Sequence, residues 1–172
     1  MEVVIGHKGK RSYNVVVNGL EAHSSLTPQG VNAIEYASEI IVHLKNLSKA
    51  LSDSGKRDNL YDIPFTTVHT GTINGGTALN IVPKTCHFQF EFRYIDADDP
   101  NQIETNIQTY INKMLIPEMQ KISPDAQITI DCVNEIPGLN LNGDEEVVTF
   151  VKMLAGKNDH AKVAFGTEAG LF

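Results

Sequence analysis

The chain has 172 residues, enough to bury one proper core. Hydrophobic residues make up 41%, charged residues 20%, and the formal charge is −7 without a long basic run, which argues against nucleic acid and anionic membrane as partners. No apolar stretch is long enough to span a bilayer, the first residues do not form a signal peptide, and Cys86 and Cys132 alone make no disulfide framework, so a reducing cytoplasm is the expected setting.

Ser12 to Asn18 reads as a strand of β-branched and aromatic residues running up to Gly19. Leu20 to Ser25 turns the chain, and Thr27-Pro28 supplies a capping hydroxyl followed by a first-turn proline. Ala33, Ile34, Ala37, Ile40, Ile41, Leu44, Leu47 and Leu51 then repeat at helical spacing with a single apolar stripe. Ser52 to Tyr61 is polar and reads as a loop.

Phe65 to Ile73 is threonine-rich, uncharged and free of internal proline, a second strand that reads as an open sheet edge. Asn74-Gly75-Gly76 ends it. From Cys86 to Ile95 the alternation is clear: Cys86, Phe88, Phe90, Phe92 and Tyr94 on one side, His87, Gln89, Glu91 and Arg93 on the other. Asp99-Pro100 opens a second helix with Ile103, Ile107, Tyr110, Ile111 and Met114 on its inner face, and Pro117 is expected to end or kink it. Gln127 to Val133 supplies a fourth strand.

The order β-α-β-β-α-β over about residues 9–134 predicts an α+β, ferredoxin-like fold: a four-stranded antiparallel sheet with two helices on one face. The polar side of the third strand is then the open face. Beyond it, residues 134–142 read as a linker, Asp144 as the cap of a short helix closed by Gly156, and Lys162 to Phe165 as a short strand leading into a glycine-rich turn. The apolar ending after that turn reads as a cut.

The six histidines are scattered, without any metal-binding spacing, and neither a nucleophile elbow nor a phosphate loop is present. Composition and periodicity alone therefore give a soluble α+β domain.

Four strings go further: Gly19-Leu-Glu-Ala-His23-Ser24-Ser25 with Pro28-Gln-Gly30-Val-Asn32-Ala-Ile; Gly75-Gly76-Thr77-Ala-Leu-Asn80-Ile-Val-Pro83; Phe90-Glu-Phe-Arg93-Tyr94; and Phe165-Gly-Thr-Glu168-Ala-Gly170. In this order and spacing they resemble the dinuclear-metal metallopeptidase and amidohydrolase family of acetylornithine deacetylase, succinyl-diaminopimelate desuccinylase, aminoacylase and glutamate carboxypeptidase. The likeness is strongest to the acetylornithine deacetylase branch and covers essentially the whole chain.

The resemblance implies a lid and dimerisation domain at residues 8–134, inserted into a catalytic domain whose first segment ends at 1–7 and whose second begins at 135–172. It implies amide hydrolysis of a small N-acyl amino acid, N-acetylornithine in arginine biosynthesis, by an intact enzyme using zinc or cobalt. The metal ligands would lie outside this stretch, so no metal is expected in this chain. It implies a homodimer through the lid, with His23 reaching the partner's site to hydrogen-bond the scissile carbonyl. Asn80 and Arg93 would hold the substrate's carbonyl or carboxylate end, and Gly166, Thr167 and Glu168 would line a loop near the substrate. Gly6, Lys8 and Gly9 would mark the hinge. Other readings stay open: a loop histidine that only caps backbone, Arg93 as a cross-strand partner, Asn80 as a turn residue, another N-acyl group such as succinyl, or a non-catalytic dimerisation module.

Overall fold

The computed structural model describes residues 2–167 and Ala169. Its main sheet has the strand order β4-β6-β2-β7, where β2 is Gly9–Asn18, β4 Thr67–Gly75, β6 Thr85–Tyr94 and β7 Gln127–Ile136, all antiparallel. The expected α+β ferredoxin-like order is therefore present. β4 is an edge of the sheet, as its uncharged sequence suggested.

The period-two pattern sets the two faces. Arg11, Tyr13, Val15 and Val17 of β2 and Cys86, Phe88, Phe90 and Phe92 of β6 are buried, while Lys10, Ser12, Glu91 and Arg93 fall on the other face. Onto the apolar face pack α1, Ala33–Ser54, through Ala33, Ala37, Ile40 and Leu44, and α2, Pro100–Tyr110, through Ile103 and Ile107. Each fully buried aliphatic or aromatic side chain contributes about 1.5–3 kcal/mol. Tyr13 stacks on Phe90 at 4.8 Å, and its hydroxyl donates to Glu104 at 2.9 Å, which ties α2 to the central strand.

Three local expectations need correction. Thr27 does not cap the first helix: Ser24–Gln29 forms a 3₁₀ segment with Pro28 inside it, the chain extends at Gly30, and Asn32 caps α1 by accepting from the N–H groups of Ile34 and Glu35. Pro117 does not end the second helix either. A π turn at Ile111–Leu115 joins α2 to α3, Ile116–Ile122, which carries Pro117 in its first turn. Ile103, Ile107, Ile111, Leu115 and Met119 are buried at a strict spacing of four. That spacing drifts about 40° per step around an ideal α-helix, and a wider turn takes up the drift. Leu115 therefore faces inward, and Met114, expected there, is exposed.

Residues 134–142 are not a plain linker. β7 runs on to Ile136, and β8, Leu139–Asn140, joins a second sheet of order β8-β1-β9 with β1, Val4–His7, and β9, Ala161–Val163. Both ends of the chain build this sheet. α4, Glu146–Ala155, packs Val148 against Val3 and Ile5. Glu145, not Asp144, precedes α4, and Gly156 closes it in the left-handed conformation at φ +62°.

The loop from Gly55 to Thr66 ties the two sheets together. Lys162 donates to Asp58 at 2.6 Å and to Asn140. Lys8 donates to the carbonyl of Phe65 at 2.5 Å. Both ammonium groups stand over the buried Tyr61 ring, each 5.5 Å from its centroid.

Candidate functional site

The expected site residues that the structure describes include two groups at opposite ends of the main sheet. His23 and Asn80 form the first. β3, Ala22–His23, and β5, Ile81–Val82, pair as two very short strands with His23 opposite Ile81. The N–H of Ser24 donates to the carbonyl of Asn80 at 2.9 Å. Asn80 also sits at the centre of a turn closed by the N–H of Ile81 on the carbonyl of Ala78 at 3.2 Å. Gly76, at φ +79°, gives the chain the left-handed residue it needs to leave β4 and enter this turn.

The His23 ring is oriented by its own backbone. The N–H of Ser25 donates to Nδ1 at 3.2 Å, and the Ser25 hydroxyl lies 2.8 Å from the same nitrogen. An N–H has no lone pair to offer, so Nδ1 is the acceptor and the proton of the neutral ring sits on Nε2. His23 is solvent-exposed, and among the described residues Nε2 has no hydrogen-bond partner. The histidine thus caps a neighbouring backbone group with one nitrogen and presents an N–H donor with the other.

Arg93 belongs to the second group. Counted along β6 from Cys86, opposite Gly75, it lies roughly 20 Å from the His23 end at the usual rise per strand residue. Its Nε donates to Glu91 Oε1 at 3.0 Å on the same face of the same strand. Lys10, directly opposite Arg93 on β2, donates to Glu91 Oε2 at 3.0 Å. Burial pushes the Glu91 carboxyl up, but the hydrogen bonds from Lys10 and Arg93 outweigh it and hold the group below the usual carboxylate range. Lys8 is buried nearby, and burial together with the charge of Arg93 lowers its pKa to about 8.

Gly166 lies beside Ile136 and the Lys8 backbone, where a Cβ would stand 3.8 Å from the Ile136 side chain and 4.0 Å from the carbonyl oxygen of Lys8. Thr167 Oγ1 accepts from the N–H of Ala169 at 3.3 Å. Glu168 lies outside the described residues. Lys10 was missed from the sequence because the strand was read as starting at Ser12. The alternation did put Glu91 beside Arg93, but the pairing with Lys10 needs the strand register.

No three His, Cys, Asp or Glu side chains among the described residues come together in a way that could hold a metal ion. The described donor set does not fit a zinc or cobalt centre. Among the described residues no helix is long and apolar enough to cross a membrane.

A four-stranded antiparallel sheet with helices on one face leaves β4 as an open edge to which another strand can pair. The chain belongs to the peptidase dimerisation domain family, whose model matches residues 5–119. It is 32% identical over 166 residues to an acetylornithine deacetylase of Myxococcus xanthus, covering 96% of this chain and 42% of that protein. To an acetylornithine deacetylase of Buchnera aphidicola it is 30% identical over 169 residues, again covering 42% of the relative. The chain thus spans about two fifths of the length of these relatives. In fold it resembles the aminopeptidase PepT of Bacillus cereus, with a TM-score of 0.74 and 20% identity over 99% of this chain and 43% of that one. It also resembles a hydantoinase/carbamoylase family amidase of Burkholderia vietnamiensis, with a TM-score of 0.67 and 16% identity over 99% and 38%.

Proposed function

We propose that this chain is the dimerising and substrate-capturing unit of an amide hydrolase acting on N-acyl amino acids, with N-acetylornithine as the first substrate to test. The observation that carries this reading is the hydrogen bond from the Ser25 N–H to His23 Nδ1, which leaves Nε2 as the exposed donor that a scissile carbonyl needs as negative charge grows on its oxygen. Two copies pair through the open edge of β4 with α1 beside it, where a cleft of 480 Å³ sets Ile41, Leu44 and Val68 among the charged Lys45, Lys49 and Asp53. His23 and Asn80 of one copy then serve the partner's reaction centre, and Arg93 receives the substrate's carboxylate. The metal, zinc or cobalt, and the general base are supplied by parts of the protein outside this chain. Similarity to two acetylornithine deacetylases over nearly the whole chain supports the choice of substrate.

Subunit complementation in the full-length protein tests the reading. A His23→Ala variant and a variant lacking the general base are each expected to be inactive on N-acetylornithine. Mixed and allowed to exchange, they should recover about a quarter of wild-type activity, because half the dimers are mixed and each holds one complete site. A mixture that stays inactive after confirmed exchange rules out His23 acting across the dimer.

A further inference from the structure

We propose that Glu91 is a positioning residue: it grips Arg93 by Nε so that the Nη1/Nη2 edge of the guanidinium is turned to the carboxylate of the substrate. This rests on the reading of Arg93 as the carboxylate ligand.

The geometry separates the two edges of the guanidinium. A guanidinium offers one pair of parallel donors along its Nη1/Nη2 edge and another that includes Nε. Glu91 Oε1 takes Nε at 3.0 Å, and among the described residues no other hydrogen bond or ion pair engages Arg93. The edge suited to a second carboxylate is therefore the one left open. Glu91 cannot turn to close it, because its other oxygen accepts from Lys10 Nζ at 3.0 Å and lies 3.5 Å from the Ser12 hydroxyl. Ser12 stands directly opposite Glu91 and Lys10 directly opposite Arg93, so the register of β2 on β6 builds the arrangement.

Charge counts the same way. Glu91 shares its one negative charge between Lys10 and Arg93, and the trio carries one net positive charge. Lys8 adds a further cation close enough for Arg93 to depress its pKa. A carboxylate arriving at the open edge neutralises what Glu91 leaves over, which a closed Arg–Glu pair would not invite.

The test is steady-state kinetics of the full-length protein on an N-acyl amino acid and on its carboxamide, which lacks the carboxylate charge. Arg93→Ala is the control and should raise KM for the acid but not for the amide. Glu91→Ala should do the same by about tenfold, with kcat little changed, and should add almost nothing to Arg93→Ala. Glu91→Gln keeps an oxygen for Nε and should recover most of the loss. Glu91→Asp withdraws the oxygen while keeping the charge, so it should behave like Glu91→Ala and decides the matter if the alanine variant does not fold. The sign of the change is diagnostic. If Glu91 merely repelled an approaching anion, removing its charge would lower KM for the acid, and that result overturns the proposal. So does an equal effect on acid and amide, or no effect where Arg93→Ala is selective. If Arg93→Ala itself shows no selectivity, or the wild type turns over no acyl amino acid, the underlying reading is lost and the positioning role goes with it.

Discussion

The two ends of the main sheet build their polar groups by different means. At one end, His23 and Asn80 are held by backbone hydrogen bonds between β3, β5 and the turn that precedes β5. At the other, Arg93 is held by charges that the strand register gathers from β2 and β6. The first arrangement uses few ions; its backbone bonds join Ala22 to Val82 and His23 to Ile81, segments distant in sequence. The second depends on long-range pairing and on a partly buried carboxylate. A donor fixed by backbone geometry should be indifferent to salt, whereas a group assembled from charges should respond to it.

The sharpest way to break this comparison is His23→Ala, expected to lower kcat of the full-length protein on the order of 10²–10³-fold with KM nearly unchanged at low and high salt. A loss carried mainly by KM would mean that the ring binds substrate without acting on the carbonyl. Arg93→Ala should come next, raising KM for the carboxylate-bearing substrate roughly 10–100-fold. In the wild type that KM should itself climb with ionic strength, and a flat salt response would remove the electrostatic account of this end.

Lys8 offers a third comparison through pH. Its folded-state pKa, about 8, lies below the ordinary value of 10.5, so between these values the unfolded chain binds more protons and stability rises with pH. The penalty for burying the ammonium is complete below pH 8 and relieved as pH approaches 10.5. Thermal unfolding at pH 7.5 and 9.5 should show the wild type gaining on Lys8→Met at the higher pH; a constant difference would mean that Lys8 keeps its ordinary proton affinity. The smallest effect is expected at the other end of the sheet. Asn32→Ala removes the cap of α1 and should cost about 1 kcal/mol in denaturant unfolding, without changing the KM salt dependence that belongs to Arg93.

The strands with unbroken alternation were legible in the sequence, and β6 most of all, because buried phenylalanines and exposed polar residues leave a single register of faces. The start of α1 was not. Thr27-Pro28 and Asn32 both carry helix-start chemistry, and the 3₁₀ segment takes the first while the α-helix takes the second. β3 and β5 escaped notice because two residues show no period, yet they are what join His23 to Asn80. Arg93 was placed on the correct face by alternation alone. Its partner Lys10 lies in a stretch where glycine and cations hide the strand signal, and only the pairing of β2 with β6 reveals it. The four-residue apolar spacing is visible in the sequence, but an ideal helix turns Met114 inward, and only the π turn that absorbs the drift turns Leu115 there instead.

The second sheet has a consequence for how this chain can be cut and rejoined. The path from β1 into β2 and the return from β7 into β8 run side by side: β1 and β8 are hydrogen-bonded partners, and a Cβ on Gly138 would lie 3.0 Å from the backbone nitrogen of Gly9. Everything between these two crossings is thus a closed loop whose ends already touch. Loop-closure entropy grows only with the logarithm of loop length, so a segment of this kind can lengthen, shrink or be exchanged at a cost of about 0.6 kcal/mol per doubling.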